Sequence, residues 1–272
     1  AYALQTTPDG GYLVGGFSCS PISGDKERHS KGEYDYWIAK TDDTGNILWV
    51  NTIGGEDIDL LRSIQTDTEN ERFILAGSSL SDIGADKTIG SQGEWDFWIT
   101  QTDFSGALNI GGDYGFGGSG TDMLSKMLLV DNDTQILAGY SDSDQSGDKS
   151  EDSRGGYDFW IIQSDENAAV DWDKTYGSSG DDFLNDVLKT TDGYLLIGWS
   201  TGTADGDKTT SQFGNGDYWL VKTDLNGNIL WDVSFGGAEK DVAVAGAELP
   251  DGSFVIAGYS ESDISGNKTA AS

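Results

Sequence analysis

The residues best placed to do chemistry in this chain are oxygen donors in one loop. Asp142-Ser143-Asp144-Gln145-Ser146-Gly147-Asp148 sets Asp142, Asp144, Ser146 and Asp148 at alternate positions, with a glycine before the last. Hard divalent cations take such oxygen sets from a sharply bent loop, and calcium is the ion this one would hold. The competing reading is that Ser and Asp side chains cap their own backbone in Asx-type turns. Loops elsewhere in the chain carry Cys19 and Pro21, or Thr201 and Thr203, at the matching places. No cofactor other than Ca2+ is suggested.

Candidates for catalysis are few. His29 is the single histidine and lies in the basic stretch Lys26-Glu27-Arg28-His29-Ser30-Lys31. A lone loop histidine reads as a solvated side chain, and without it no Ser-His-Asp set can be assembled. The chain has 47 acidic residues, so neighbouring carboxylates arise by chance and do not identify a glycosidase. Cys19 is the only cysteine, which excludes an intrachain disulfide, and it reads as a small buried residue. The glycines read as turn glycines, with no phosphate-cradling loop. The expectation is a protein that is not an enzyme. A formal net charge of −31 excludes the basic stripe of a nucleic-acid binder. No run of 18 apolar residues is present, so membrane insertion is not expected.

The elements that would position these residues follow from an internal repeat. Tyr34-Asp35-Tyr36-Trp37, Trp95-Asp96-Phe97-Trp98, Tyr157-Asp158-Phe159-Trp160 and Gly216-Asp217-Tyr218-Trp219 recur at Trp-to-Trp intervals of 61, 62 and 59 residues. Each unit contains four short strand patterns; in the best example they cover 185–190, 194–200, 217–223 and 229–235. Turns rich in Asp, Asn and Gly separate the first from the second, as at Asp192-Gly193 and Asp131-Asn132-Asp133. The third and fourth meet at 42–46, 103–107, 165–168 and 224–228. Hairpins of this kind make antiparallel meanders, and a period near sixty is too long for a β-solenoid coil of ~20–30 residues. The expected fold class is all-β: a β-propeller of four-stranded antiparallel blades, four complete and one half-blade. It would be a single propeller domain over 1–272, or a fragment of one. Blades fall near 1–54, 55–117, 118–177 and 178–237, with the half-blade at 238–272. The third-strand Trp37, Trp98, Trp160 and Trp219 should pack between sheets.

The run Asp217-Tyr218-Trp219-Leu220-Val221-Lys222-Thr223-Asp224-Leu225-Asn226-Gly227-Asn228-Ile229-Leu230-Trp231, then Phe235-Gly236-Gly237 and Asp251-Gly252-Ser253-Phe254-Val255-Ile256-Ala257-Gly258, resembles the bacterial surface and secreted β-propeller repeat family. The likeness covers the whole chain. It implies the propeller fold and an extracellular or cell-surface location, and it carries no common catalytic residue. The stretch 42–49 is also similar to quinoprotein-type blades, without a quinone-binding set. The resemblance leads to a non-enzymatic binding, adhesion or scaffold module of a larger bacterial protein, its partner another protein or an extracellular glycan. A polysaccharide-active propeller hydrolase or lyase, and a structural spacer in a surface filament, are the alternatives. Because the chain opens inside a repeat and its last repeat stops after two strands, the native protein is expected to be longer by at least one hairpin.

The long second-to-third and fourth-to-first connections should share one face, which holds the acidic residues. Lys26, Lys87, Lys149, Lys208 and Lys268 recur in the first set, and Asp59, Asp122, Asp182 and Asp241 end the second. Pairing of the lysines with the strand-leading Asp35, Asp96, Asp158 and Asp217 would anchor the long loops.

Overall fold

A computed structural model describes residues 1–131 and 133–271. Asn132, which the sequence puts in a hairpin turn, and Ser272, the last half-blade residue, lie outside the described residues. All named elements are strands, and no helix of the described residues is long and apolar enough to cross a membrane. In chain order they form four groups of four and a final pair. The first group is β1 (Ala3–Thr6), β2 (Tyr12–Ser18), β3 (Asp35–Thr41) and β4 (Ile47–Ile53); the second is β5 (Asp59–Asp67), β6 (Arg72–Ser79), β7 (Asp96–Asp103) and β8 (Tyr114–Phe116). The third is β9 (Asp122–Leu129), β10 (Gln135–Ser141), β11 (Asp158–Ser164) and β12 (Val170–Tyr176). The fourth is β13 (Asp182–Thr190), β14 (Gly193–Ser200), β15 (Asp217–Asp224) and β16 (Ile229–Phe235), followed by β17 (Asp241–Glu248) and β18 (Phe254–Ser260). Strands pair antiparallel with their chain neighbours, which is the meander of a propeller blade.

The chain divides into two compact units, Ala1–Asp133 with Ser146–Asp148, and Thr134–Gln145 with Lys149–Ser272. The first unit contains the sheets β1-β2-β3-β4 and β5-β6-β7-β8 and strand β9. The second contains β10-β11-β12, the sheet β13-β14-β15-β16 and the hairpin β17-β18. Within the first unit, β5 meets β1, β2 and β3, while β9 lies against β5, β6 and β7. Covered on both faces, β6 and β7 lose the polar–apolar alternation of a half-exposed strand: Phe73, Ile74, Leu75, Ala76, Phe97, Trp98 and Ile99 are all buried. In the second unit β17 packs on β13, β14 and β15, and β18 has one covered face. There the alternation returns, with Phe254 and Ile256 half-buried and Val255 and Tyr259 exposed.

Strand β13 begins three residues before its expected start, because a register shift between Leu184 and Asp186 lets pairing continue to Asp182 and Ser200. The same bulge recurs in β5 and β17. A sequence pattern of period two breaks at a bulge, so the extra residues read as loop.

The marker tryptophans are interior. Trp98, Trp160 and Trp219 are fully buried, with Trp98 4.9 Å from the Tyr36 ring and Trp219 4.8 Å from the Phe159 ring. Each indole N–H donates to a carboxylate that the sequence did not point to: Asp113 (3.1 Å), Asp173 (3.1 Å) and Asp232 (3.0 Å). Trp37 differs from the expectation. It is half-buried. Val50 stands where the others have an aspartate, and its buried Nε1 lacks a partner. Trp219→Ala should therefore cost about 3–5 kcal/mol in urea denaturation, and Trp37→Ala clearly less.

The third-to-fourth turns share one construction. Asp42, Asp103, Asp165 and Asp224 each accept backbone N–H groups two and four residues ahead. The residue three ahead is left-handed: Gly45 (φ 88°), Gly106 (84°) and Gly227 (76°), but Ala168 (66°) in the third repeat. A Cβ is disfavoured in that conformation. Ala168→Gly should add about 0.5–1 kcal/mol, read as a raised denaturation midpoint at unchanged slope.

Candidate functional site

The long connections are held by one recurring device. In the first unit the Asp86 N–H donates to the Gly54 carbonyl (3.1 Å), and Asp86 Oδ2 accepts the Gly54 N–H (3.2 Å). Asp148 makes the same two bonds with Gly117, at 2.8 and 3.2 Å. In the second unit Asp207 repeats them with Gly177, at 2.8 and 3.2 Å, and Asn267 does so with Gly236, at 3.1 and 2.9 Å. Each latch ties the second-to-third loop of one repeat to the end of the preceding repeat's fourth strand. The sequence signal was the Asp/Asn-Lys pair, preceded by Gly147, Gly206 and Gly266 but by Ala85 in the second repeat, and the small pair after the fourth strand; their partnership was not legible.

Beneath the latches lie carboxylates. Cross-strand register places Asp59 opposite Ser79 and Ser79 opposite Asp96, and likewise Asp182, Ser200 and Asp217. Asp35, Asp59, Asp158, Asp182 and Asp217 are fully buried. One oxygen of each is well bonded: Asp35, Asp158 and Asp217 Oδ2 accept N–H groups of Lys31, Arg154 and Phe213, each at 2.5 Å. Asp59 and Asp182 Oδ2 accept from Gly55 (2.6 Å) and Ser178 (2.7 Å). The Oδ1 atoms of Asp59, Asp96, Asp158, Asp182 and Asp217 have no hydrogen-bond partner.

Glycine is required where these carboxylates seat. A Cβ on Gly117, Gly177 or Gly236 would stand 1.8, 1.8 or 1.9 Å from Oδ1 of Asp96, Asp158 or Asp217. Burial pushes Asp158 up to about 7, and Asp59 and Asp182 up to about 6; Asp96 and Asp217 rise for the same reason. The exposed turn carboxylates go the other way. Hydrogen bonds from Asn46 and Thr44 lower Asp42 to about 2.

Lys26, Lys87, Lys149 and Lys208 are buried and Lys268 half-buried, but the direct Lys–Asp pairs expected at Lys26, Lys87 and Lys208 do not form. Their ammonium groups go to loop oxygens: Ser30 Oγ (2.8 Å) with Ser18, Ser81 O (2.5 Å) and Thr210 O (2.7 Å). Lys149 reaches Glu151 O at 2.7 Å and Lys268 reaches Ser262 O. A buried ammonium needs acceptors, and the loop carbonyls and hydroxyls supply them. Burial pulls Lys26, Lys87 and Lys208 below the usual lysine range.

The oxygen-rich loop serves mainly as a latch. Ser146 Oγ accepts the Ser119 N–H (2.8 Å), and Asp148 accepts from Gly117 and the Gln92 amide. Asp142 and Asp144 are exposed. Among the described residues, no group of three or more His, Cys, Asp or Glu stands where it could hold a metal ion. His29 is exposed, and Cys19 is exposed rather than buried as expected. It sits at a loop entrance where small side chains face water.

A cavity of about 200 Å³ in the second unit is lined by Tyr218, Phe235, Gly236, Asp241, Ser260, Asn267 and Lys268. In the first unit the equivalent tyrosine, Tyr36, is covered by the third-strand Trp98 and donates to its carbonyl (3.0 Å). Beside Tyr218 the corresponding space is open.

Comparison with protein families finds no match, and comparison with curated proteins finds none either.

The latch has a direct test. Asp207→Ala strands the Gly177 N–H and removes the Arg154 ion pair (2.9 Å), and should cost about 1–3 kcal/mol. Asp207→Asn, the residue used at the matching position 267, should recover most of that loss in the same denaturation assay.

Proposed function

We propose that this chain is a non-enzymatic binding module of a bacterial surface or secreted protein, in keeping with the propeller repeats its motifs resemble. Its partner is an extracellular protein or glycan, bound by the long loops. The observation that supports this reading is a set of isoleucines at loop tips. Ile22 and Ile83 in the first unit are 51% and 67% exposed, and Ile264 in the second is 66% exposed. Each stands four residues before the recurring lysine. The backbone behind each tip is pinned by a turn bond from that lysine's N–H, at 3.0 Å in all three loops.

The turn bond is made by backbone atoms and needs no apolar side chain at the tip. Covering such side chains with a partner releases roughly 25 cal/mol per Å² of apolar surface. Rigid loops lose little entropy on binding, so they favour recognition over induced folding. The acidic surroundings, including Asp82 and Asp263 beside the tips, repel polyanions and favour neutral or cationic partners.

The test uses immobilised extracellular glycans and matrix proteins in surface plasmon resonance, with the wild type and an Ile22→Ser/Ile83→Ser/Ile264→Ser variant. At least one surface should bind the wild type, and the variant should bind it about tenfold more weakly, or about 1.4 kcal/mol, at an unchanged melting temperature. Equal binding by the variant would move the site off the loop tips. Turnover of a polysaccharide by the wild type would replace this reading with catalysis.

A further inference from the structure

At the junction between β11 and β13 in the second unit the Asp182 N–H donates to the Tyr157 carbonyl (2.6 Å), which sets Asp182 beside Asp158. Asp158 and Asp182 are both fully buried. Asp158 Oδ2 is satisfied by the Arg154 N–H, and Asp182 Oδ2 by the N–H (2.7 Å) and hydroxyl (2.8 Å) of Ser178. The other oxygen of each carboxylate has no hydrogen-bond partner. Asp158 Oδ1 lies where a Cβ of Gly177 would stand, so only the glycine backbone faces it, and Asp182 is held by the very next residue. A Cα–H is a weak donor, far short of what a buried anionic oxygen needs. The next junction repeats the plan: measured from where a Cβ of Gly236 would stand, Asp217 Oδ1 lies at 1.9 Å and Asp241 Oδ2 at 2.9 Å.

A buried anion with an orphaned oxygen requires a ligand or a proton. A hard divalent cation would need six to eight oxygens, and two orphans beside nearby ammonium groups do not supply that coordination. A proton suits the geometry. It needs one donor oxygen and one acceptor, and it removes one of two facing negative charges. We propose that the Asp158–Asp182 junction is a proton-binding site, in which Asp158 carries a proton on Oδ1 beside the Asp182 carboxylate.

The groups facing Asp158 are Asp182 across the junction and Lys149 and Arg154 from its own loop; Lys208 and the Ser200 hydroxyl face Asp182. The two cations lower Asp158, but desolvation and Asp182 outweigh them, and its carboxyl rises to about 7. The folded value therefore lies above the ordinary aspartate value of 3.8, so the native state binds the extra proton in the interval between. Stability from this proton is fully present below the ordinary value and is lost as pH rises through about 7.

The experiment compares melting curves of the wild type and Asp158→Asn between about pH 5 and pH 8. The asparagine amide places a permanent N–H donor where the proposed O–H lies. The wild type should lose stability as pH rises across this range. Asp158→Asn should lose less, and should match or exceed the wild type at the upper end. Equal destabilisation of the variant at both ends, with the wild-type pH profile unchanged, would overturn the proposal. Stabilisation by millimolar calcium at the upper pH that disappears in the variant would also overturn it, in favour of a cation site. Should the variant not fold, infrared difference spectra of the wild type decide: a protonated-carboxyl band that fades as pH passes about 7 supports the site, and no such band overturns it.

Discussion

The interaction on which this structure depends is the seating of a carboxylate against the glycine that ends each fourth strand. Sheet faces here are apolar and would pack against many surfaces, since hydrophobic attraction has no direction. The carboxylate supplies direction. Asp158 fits over Gly177 only if the third and fourth strands of its sheet are in one register, and the Asp207 latch then fits only if the next loop approaches from one side. The same geometry at Asp96 with Gly117 and at Asp217 with Gly236 shows that it belongs to the repeat.

That arrangement governs the electrostatics as well. A chain with a net charge of −31 buries several of its aspartates, where desolvation opposes ionisation. Buried lysines accompany them, yet the ammonium groups bond to loop carbonyls and hydroxyls. They contribute charge at a short distance and order the loop backbone at the same time. The result is a polar layer in which hydrogen bonds are local and directional, while charge compensation is shared among neighbours.

Repetition also bears on function. The aspartates, lysines and latches recur from repeat to repeat, as expected of groups that shape a scaffold. Loop tips do not recur so strictly: Ile22, Ile83 and Ile264 have Gln145 and Ala204 as their counterparts in the third and fourth repeats. Variation confined to the tips of pinned loops leaves architecture intact while changing what each loop presents, which suits recognition.

Most of the fold was legible in the chain. The Trp spacing, the Asp-Gly turns and the period-two patterns determined an all-β repeat of four-stranded meanders, because local turn chemistry and strand alternation depend on near neighbours in sequence. Strand β16 falls where the pattern put it, and β13 misses by three residues only because a bulge interrupts the alternation. Tertiary structure alone decided the rest. Ser146 and Asp148 resembled a cation loop in sequence, yet they bond to Ser119 and Gly117, some thirty residues earlier in the chain. Trp219 found Asp232, and Asp182 came to lie beside Asp158, through strands brought together by folding. Those partners are set by how one sheet end meets the next, and no spacing within a single repeat encodes that distance.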